Sequence, residues 1–156
     1  MNLSVGDIAP VFTLKDTDKN DVNLSDYSGQ NVVLLFFPLA FTGVCTEELC
    51  YMRDNLSKYS NLSAQVLAIS VDSPFTLGKF KEENKLSYPL LSDFNKEVSP
   101  AYGAFYETFA LGLKGVSKRA VFIVDSGGKI HYSEVLENAG NLPNFTALEE
   151  ALSKIK

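Results

Sequence analysis

Histidine, arginine and cysteine are scarce in this chain of 156 residues, which holds one histidine, His131, two arginines, Arg53 and Arg119, and two cysteines, Cys45 and Cys50. A lone histidine with one cysteine pair does not complete a structural zinc site, which needs four Cys or His ligands. His131 falls in the alternating stretch KIHYSEV, among ordinary strand residues, and no Asn or Asp is tied to Cys45 by a motif, which argues against a Cys-His hydrolase. Long apolar runs are missing as well. Nowhere do 18 consecutive apolar residues occur, so no membrane span is expected. The opening MNLSVGDIAPVFTLKD has no basic region followed by an apolar stretch, and a cytoplasmic protein is expected. Basic residues are outnumbered 14 to 19, giving a net charge of -5; they are scattered rather than gathered into a stripe, so nucleic acid is not an expected partner.

What is present is enough for a core. A chain of this size that is 46% hydrophobic can fold without covalent staples, and no repeat, linker or low-complexity tract divides it, so a single domain over 1–156 is expected. In a reducing cytosol, two cysteines that folding does not require point to catalysis or redox chemistry.

The coarse pattern alternates strand and helix. Val11 to Leu14 and Val22 to Leu24 flank the polar turn Asp16 to Asp21, as in an N-terminal hairpin. Asn31 to Phe37 (NVVLLFF) is continuously apolar, as in a strand covered on both faces. Cys45, Leu49, Met52, Leu56 and Tyr59 then recur at steps of three and four, which predicts a helix with Cys45 on its inner side. A second buried strand follows at Val66 to Val71, then a helix from Ser73-Pro74 through Lys85 and the turn-like segment LSYPLLSD. Ala120 to Asp125 and Lys129 to Leu136 form a second hairpin around Ser126-Gly127-Gly128, and Pro143 to Ile155 a closing helix. This order is that of an α/β fold, a thioredoxin-like sandwich with a central mixed sheet flanked by helices.

Both cysteines lie in FFPLAFTGVCTEELC, where the first long strand gives way to the helix. A thiol becomes a nucleophile by losing its proton, and the first turn of a helix favours the anion through its free N–H groups and dipole. Thr42 and Gly43 stand where a polar cap and close backbone approach would present N–H groups to a small oxygen-bearing ligand. Pro38 ends the strand and shields the sulfur from water. By position alone Cys45 could equally be a buried small apolar residue.

The order Pro38, Thr42, Cys45 matches P-x-x-x-T-x-x-C, with Glu48 three residues on, and the sequence resembles the peroxiredoxins over essentially its whole length: DIAPVFTL, PLLSD, AYG and Arg119 before AVFIVD. PLAFTGVC, PLLSDF and AYGAF resemble the AhpE-like group, while Cys50 sits where the PrxQ or bacterioferritin-comigratory-protein group carries a second, resolving cysteine. The resemblance implies that the Cys45 thiolate attacks a hydroperoxide and becomes a sulfenic acid, without a metal or organic cofactor. Thr42, the Cys45 N–H and the Arg119 guanidinium would surround the O–O bond, with Glu48 supporting. Arg53 is a further candidate to fix Glu48 or Arg119, with a surface ion pair as its alternative. Cys50 would resolve the sulfenic acid to a disulfide, which a thioredoxin-like or glutaredoxin-like protein would reduce. Five residues along a helix lie about 140° and about 7.5 Å apart, so Cys50 reaches Cys45 only if the first turn unwinds. Cys50 as a bystander remains the alternative.

The resemblance also implies a homodimer, for which Phe41, Tyr102, Phe105 and Tyr106 are candidate interface aromatics, or else core residues. Two rivals stand against the peroxidase. One is a binding or chaperone protein with Cys45 inert. The other is a dithiol oxidoreductase, which the four-residue gap between the cysteines opposes, since that chemistry uses C-x-x-C.

Overall fold

The computed structural model of the chain describes residues 3–155. Its frame is a seven-stranded mixed sheet built from β1 (Thr13–Asp16), β2 (Asp21–Asn23), β3 (Asn31–Phe36), β4 (Ala64–Ser70), β5 (Leu90–Ser92), β8 (Arg119–Val124) and β9 (Ile130–Leu136), in the order β2-β1-β5-β4-β3-β8-β9. β3, β4 and β5 run parallel, and the other neighbours pair antiparallel. The parallel strands are joined through helices, α1 (Gly43–Asp54) and α2 (Leu56–Asn61) after β3, and α3 (Pro74–Asn84) after β4, as parallel crossovers require. A short helix, α4 (Val98–Ala101), a two-stranded ribbon of β6 (Phe105–Tyr106) with β7 (Val116–Ser117), the final α5 (Phe145–Ser153) and two 3-10 turns at Leu24–Tyr27 and Ala110–Gly112 complete the elements.

The continuous apolar runs have the expected meaning. Along β3, alternate side chains enter two separate cores: Val33 and Leu35 join Leu49, Leu77 and Leu148 on the side of α1, α3 and α5, while Val32, Leu34 and Phe36 join Phe12, Val98 and Tyr102 on the other. That two-sided burial is why no polar residue interrupts the strand. Both predicted hairpins form, β1 with β2 and β8 with β9.

Two expectations need correction, and one open alternative is decided. LSYPLLSD is not simply a turn: Leu90–Ser92 within it is β5, paired to β4 and β1. The helix read through Tyr59 breaks at Asn55, whose side-chain amide donates to the Tyr51 carbonyl at 2.8 Å, the local competition by which asparagine interrupts helices. Tyr102 belongs to the core rather than to a surface: it is buried, packs on Phe36 and Phe122, and donates its hydroxyl to the Pro10 carbonyl at 2.6 Å.

Asp93, buried at the end of PLLSD, accepts from the N–H groups of Glu97, Val98 and Ser99 at 3.0, 3.1 and 2.7 Å. It thereby fixes the start of α4, which a four-residue helix could not do for itself. Among the described residues no helix is long and apolar enough to cross a membrane.

Candidate active site

The sheet and α1 meet where β3 ends. Past Pro38 the chain is fastened to the end of β4: the Ala40 N–H donates to Asp72 Oδ2 at 2.8 Å, and Ser70 Oγ donates to the same oxygen at 2.7 Å. Phe41 then takes a left-handed conformation, φ 67°, strained for a residue with a Cβ. Thr42 returns to extended backbone, φ -97° and ψ 155°, and α1 begins. The Thr42 hydroxyl donates to the Leu39 carbonyl at 2.7 Å and makes no side-chain cap. So Thr42 stands at the cap position by its backbone, but no side chain takes up the N–H groups of the first turn, which stay available to a ligand.

Cys45 is the third residue of α1, 1% exposed, and packs within the core formed by Leu49 and Met52. Arg119 arrives from the sheet. It opens β8 in register with Leu136 and, by the two-residue period of a strand, shares the face of Val121 and Ile123 beneath α1. Its guanidinium is 2% exposed. Nη1 lies 3.3 Å from Cys45 Sγ and 2.7 Å from Glu48 Oε1, while Nε and Nη2 donate to the Ala139 carbonyl at 3.2 and 2.8 Å. The planar fork is thus held on one side by a backbone oxygen and on the other by a carboxylate, with the sulfur beside it. Burial opposes the charge on Arg119, but Glu48 and Cys45 outweigh it and hold the guanidinium above its ordinary pKa.

Glu48 is fully buried, and its Oε2 has no hydrogen-bond partner. Burial pushes its carboxyl from an ordinary 4.5 up to about 7, against the pull of Arg119. Because the folded protein then holds that proton more tightly than the unfolded chain, this group favours folding below about pH 4.5, and its contribution is lost as pH rises to about 7. Glu48→Gln should therefore flatten the fall in stability between those two values, by about 3 kcal/mol, in urea unfolding followed across that range. An unchanged slope would contradict the shift.

A cleft of about 650 Å³ opens onto these groups, walled by Pro38, Leu39, Tyr106, Phe109 and Ala139, with Gly43, Cys45 and Arg119 also lining it. A Cβ placed on Gly43 would meet nothing within 4 Å, so a side chain there would occupy the cleft itself. Tyr106 is fixed by donation to the Glu137 carbonyl at 2.6 Å.

Pro38, Thr42, Cys45, Glu48 and Arg119 thus lie together, and Cys50 and Arg53 do not join them. Cys50 lies farther along α1, partly buried, with Sγ 3.6 Å from Asn84 Oδ1. Arg53 donates to the Asn84 carbonyl at 2.7 Å and to Asp54 at 2.9 Å, so its role in fixing Glu48 or Arg119 is not seen. His131 is 3.7 Å from Asp125 on the β8–β9 hairpin. Sequence reasoning missed the Ala139 carbonyl, which as a backbone atom leaves no residue-type signature, and Asp72, whose proximity depends on the β3–β4 pairing.

Residues 5–133 match the AhpC/TSA family. Alkyl hydroperoxide reductase E of Mycobacterium tuberculosis is 43% identical over 136 residues, covering 85% of this chain and 86% of that protein. Peroxiredoxin Bcp of Escherichia coli is 39% identical over 132 residues, covering 83% and 84%. Among solved structures, peroxidoxin BcpB from Mycobacterium tuberculosis is similar with a TM-score of 0.86 at 28% identity over 99% of both chains. A peroxiredoxin-like protein from Aquifex aeolicus gives 0.89 at 26% identity over 99% of this chain and 88% of that one. These likenesses carry the thioredoxin-like fold as well as the sequence, and with them the chain belongs to the AhpC/TSA family as a peroxiredoxin, a thiol-dependent peroxidase.

Proposed function

We propose that Cys45 is the peroxide-reducing thiol and that Cys50 resolves its oxidised form. The observation that carries this reading is the contact between Arg119 Nη1 and Cys45 Sγ at 3.3 Å. A guanidinium fixed in advance beside the sulfur needs no rearrangement as charge moves onto oxygen. The Cys45 thiolate attacks the distal oxygen of the hydroperoxide. An S–O bond forms as the O–O bond breaks, sulfur is oxidised to the sulfenic acid, and the departing oxygen takes a proton to leave as water or an alcohol. The first-turn N–H groups can donate to the peroxide, while Thr42, whose hydroxyl proton is committed to the Leu39 carbonyl rather than free to donate, can accept from the peroxide O–H.

The apolar walls of the cleft suit organic hydroperoxides as well as hydrogen peroxide, and the name of the mycobacterial relative, alkyl hydroperoxide reductase E, agrees. In the second step the Cys50 thiol attacks the Cys45 sulfur, a disulfide forms, and water is released. A thioredoxin-like or glutaredoxin-like dithiol then reduces it. The reading includes a cytoplasmic homodimer, which rests on family resemblance; with Tyr102 in the core, Phe41, half exposed beside Thr42, and the partly buried Phe105 and Tyr106 are the candidate aromatics for such an interface.

Peptide mass mapping after about one equivalent of peroxide tests the scheme. The expected product is a Cys45–Cys50 disulfide, lighter by two hydrogens, replaced in Cys50→Ser by an oxygen adduct on Cys45. An oxygen adduct on Cys45 in both proteins would remove Cys50 from the mechanism.

A further inference from the structure

The second half of α1 is tied to the segment that ends α3 by three successive hydrogen bonds. Tyr88 donates its buried hydroxyl to the Leu49 carbonyl at 2.6 Å, Cys50 Sγ lies 3.6 Å from Asn84 Oδ1, and Arg53 Nη1 donates to the Asn84 carbonyl at 2.7 Å. Asn84 supplies two of the three acceptors. Its amide nitrogen donates to the Phe80 carbonyl one turn back at 3.0 Å. The two ends of the amide are therefore both committed, and the oxygen is the end that faces the thiol.

The anchor is firm. α3 closes with Lys85 in a left-handed cap, φ 54°, and with the Leu86 N–H on the Lys81 carbonyl at 3.0 Å, the double closure that seals helix ends. Across from it, α1 begins without a side-chain cap and ends at the Asn55 break. The part of α1 bearing Cys50 is clasped to a well-closed helix, and the part bearing Cys45 is held chiefly through Arg119.

We propose that Asn84 is a positioning residue that holds Cys50 in its helical place, so that release of the Cys50–Asn84 contact sets the rate at which the disulfide forms. This rests on the reading of Cys50 as the resolving thiol. In the step concerned, Cys50 gives up its proton and its bond to Asn84, its sulfur attacks the Cys45 sulfenic sulfur, and hydroxide leaves to become water. While the clasp holds, the sulfenic acid waits, and a second peroxide can convert it to the sulfinic acid. Asn84 would therefore set the balance between resolution and over-oxidation without touching the peroxide.

The test mixes reduced protein with one equivalent of hydrogen peroxide, quenches with a thiol-alkylating reagent at intervals, and follows the disulfide by mass. Asn84→Ala should form it about five-fold faster, the scale set by one modest hydrogen bond, with the rate of peroxide consumption unchanged. Under excess peroxide its sulfinic fraction should fall in proportion. Arg53→Met, a change at a side chain 34% exposed, should act in the same direction and serves if Asn84→Ala does not fold. Leu152→Ala, a core change in α5, loosens the protein elsewhere and should not hasten the disulfide. If the disulfide forms in the Asn84 and Arg53 variants no faster than in the native protein, or if Leu152→Ala hastens it equally, the clasp is overturned while the resolving role of Cys50 stands. If none of the proteins forms the disulfide, both fall together.

Discussion

Cys45→Ser should consume hydrogen peroxide at least about 10⁵-fold more slowly than the native protein when the two are mixed in a stopped-flow apparatus. The expectation comes from what the substitution keeps. Oxygen replaces sulfur at a site that is 1% exposed, the smaller atom leaves little void, and Arg119 Nη1, now 3.3 Å from the sulfur, can donate to the hydroxyl instead. Packing and the donor set survive, and only the polarisable sulfur nucleophile is gone. The reading of Cys45 as an inert core residue predicts the opposite, with native and variant proteins equally slow. A variant that still consumed its first equivalent rapidly would move the chemistry to another group.

Arg119→Met should slow that first oxidation by about 10²–10³-fold, the scale for loss of one fixed donor to developing charge. It should also destabilise the fold by about 3–5 kcal/mol, because Glu48 is then left buried with neither oxygen paired. The two effects can be separated. In Glu48→Gln/Arg119→Met the orphaned acid is gone, so much of the stability should return in a urea titration while the peroxide rate stays low. If activity recovered together with stability, Arg119 would be a structural partner of Glu48 and nothing more. Arg119→Lys should rescue only in part: an ammonium can meet the sulfur or Glu48, but it lacks the fork that also reaches the Ala139 carbonyl.

Much of this was legible before any coordinates. β3 and β4 announce themselves because both faces of each are covered, so beyond their first residues the runs are apolar, broken only by Ser70 at the end of β4. Pro38, Thr42 and Cys45 stand out through a motif whose spacing is fixed by the strand-to-helix turn, whereas Arg119, on a distant strand, is suggested only by the resemblance over the rest of the chain. β5 was harder: three residues after a proline carry too little pattern, and their pairing comes from distant partners in β4 and β1. The break at Asn55 was hidden because the apolar period runs straight across it. For Tyr102 the sequence leaves interface and core equally open, because aromatic side chains serve both, and only its seat between Phe36 and Phe122 decides. Helix geometry gave the divergence of Cys50 from Cys45, but not that Asn84 receives it.

The Arg119–Glu48 pair ties the sheet to the helical turn that the proposed disulfide would have to open. Arg119 is rooted in a strand flanked by β3 and β9; Glu48 rides on the helical turn between the two sulfurs. If that turn opens to let them join, the guanidinium stays behind with only the Ala139 carbonyl for company, a lone cation in an apolar hollow. Such a state is under tension, like a drawn bow. It would welcome small anions, it would yield readily to a reducing dithiol, and once the bridge is cut the returning carboxylate would pull the helix back into place.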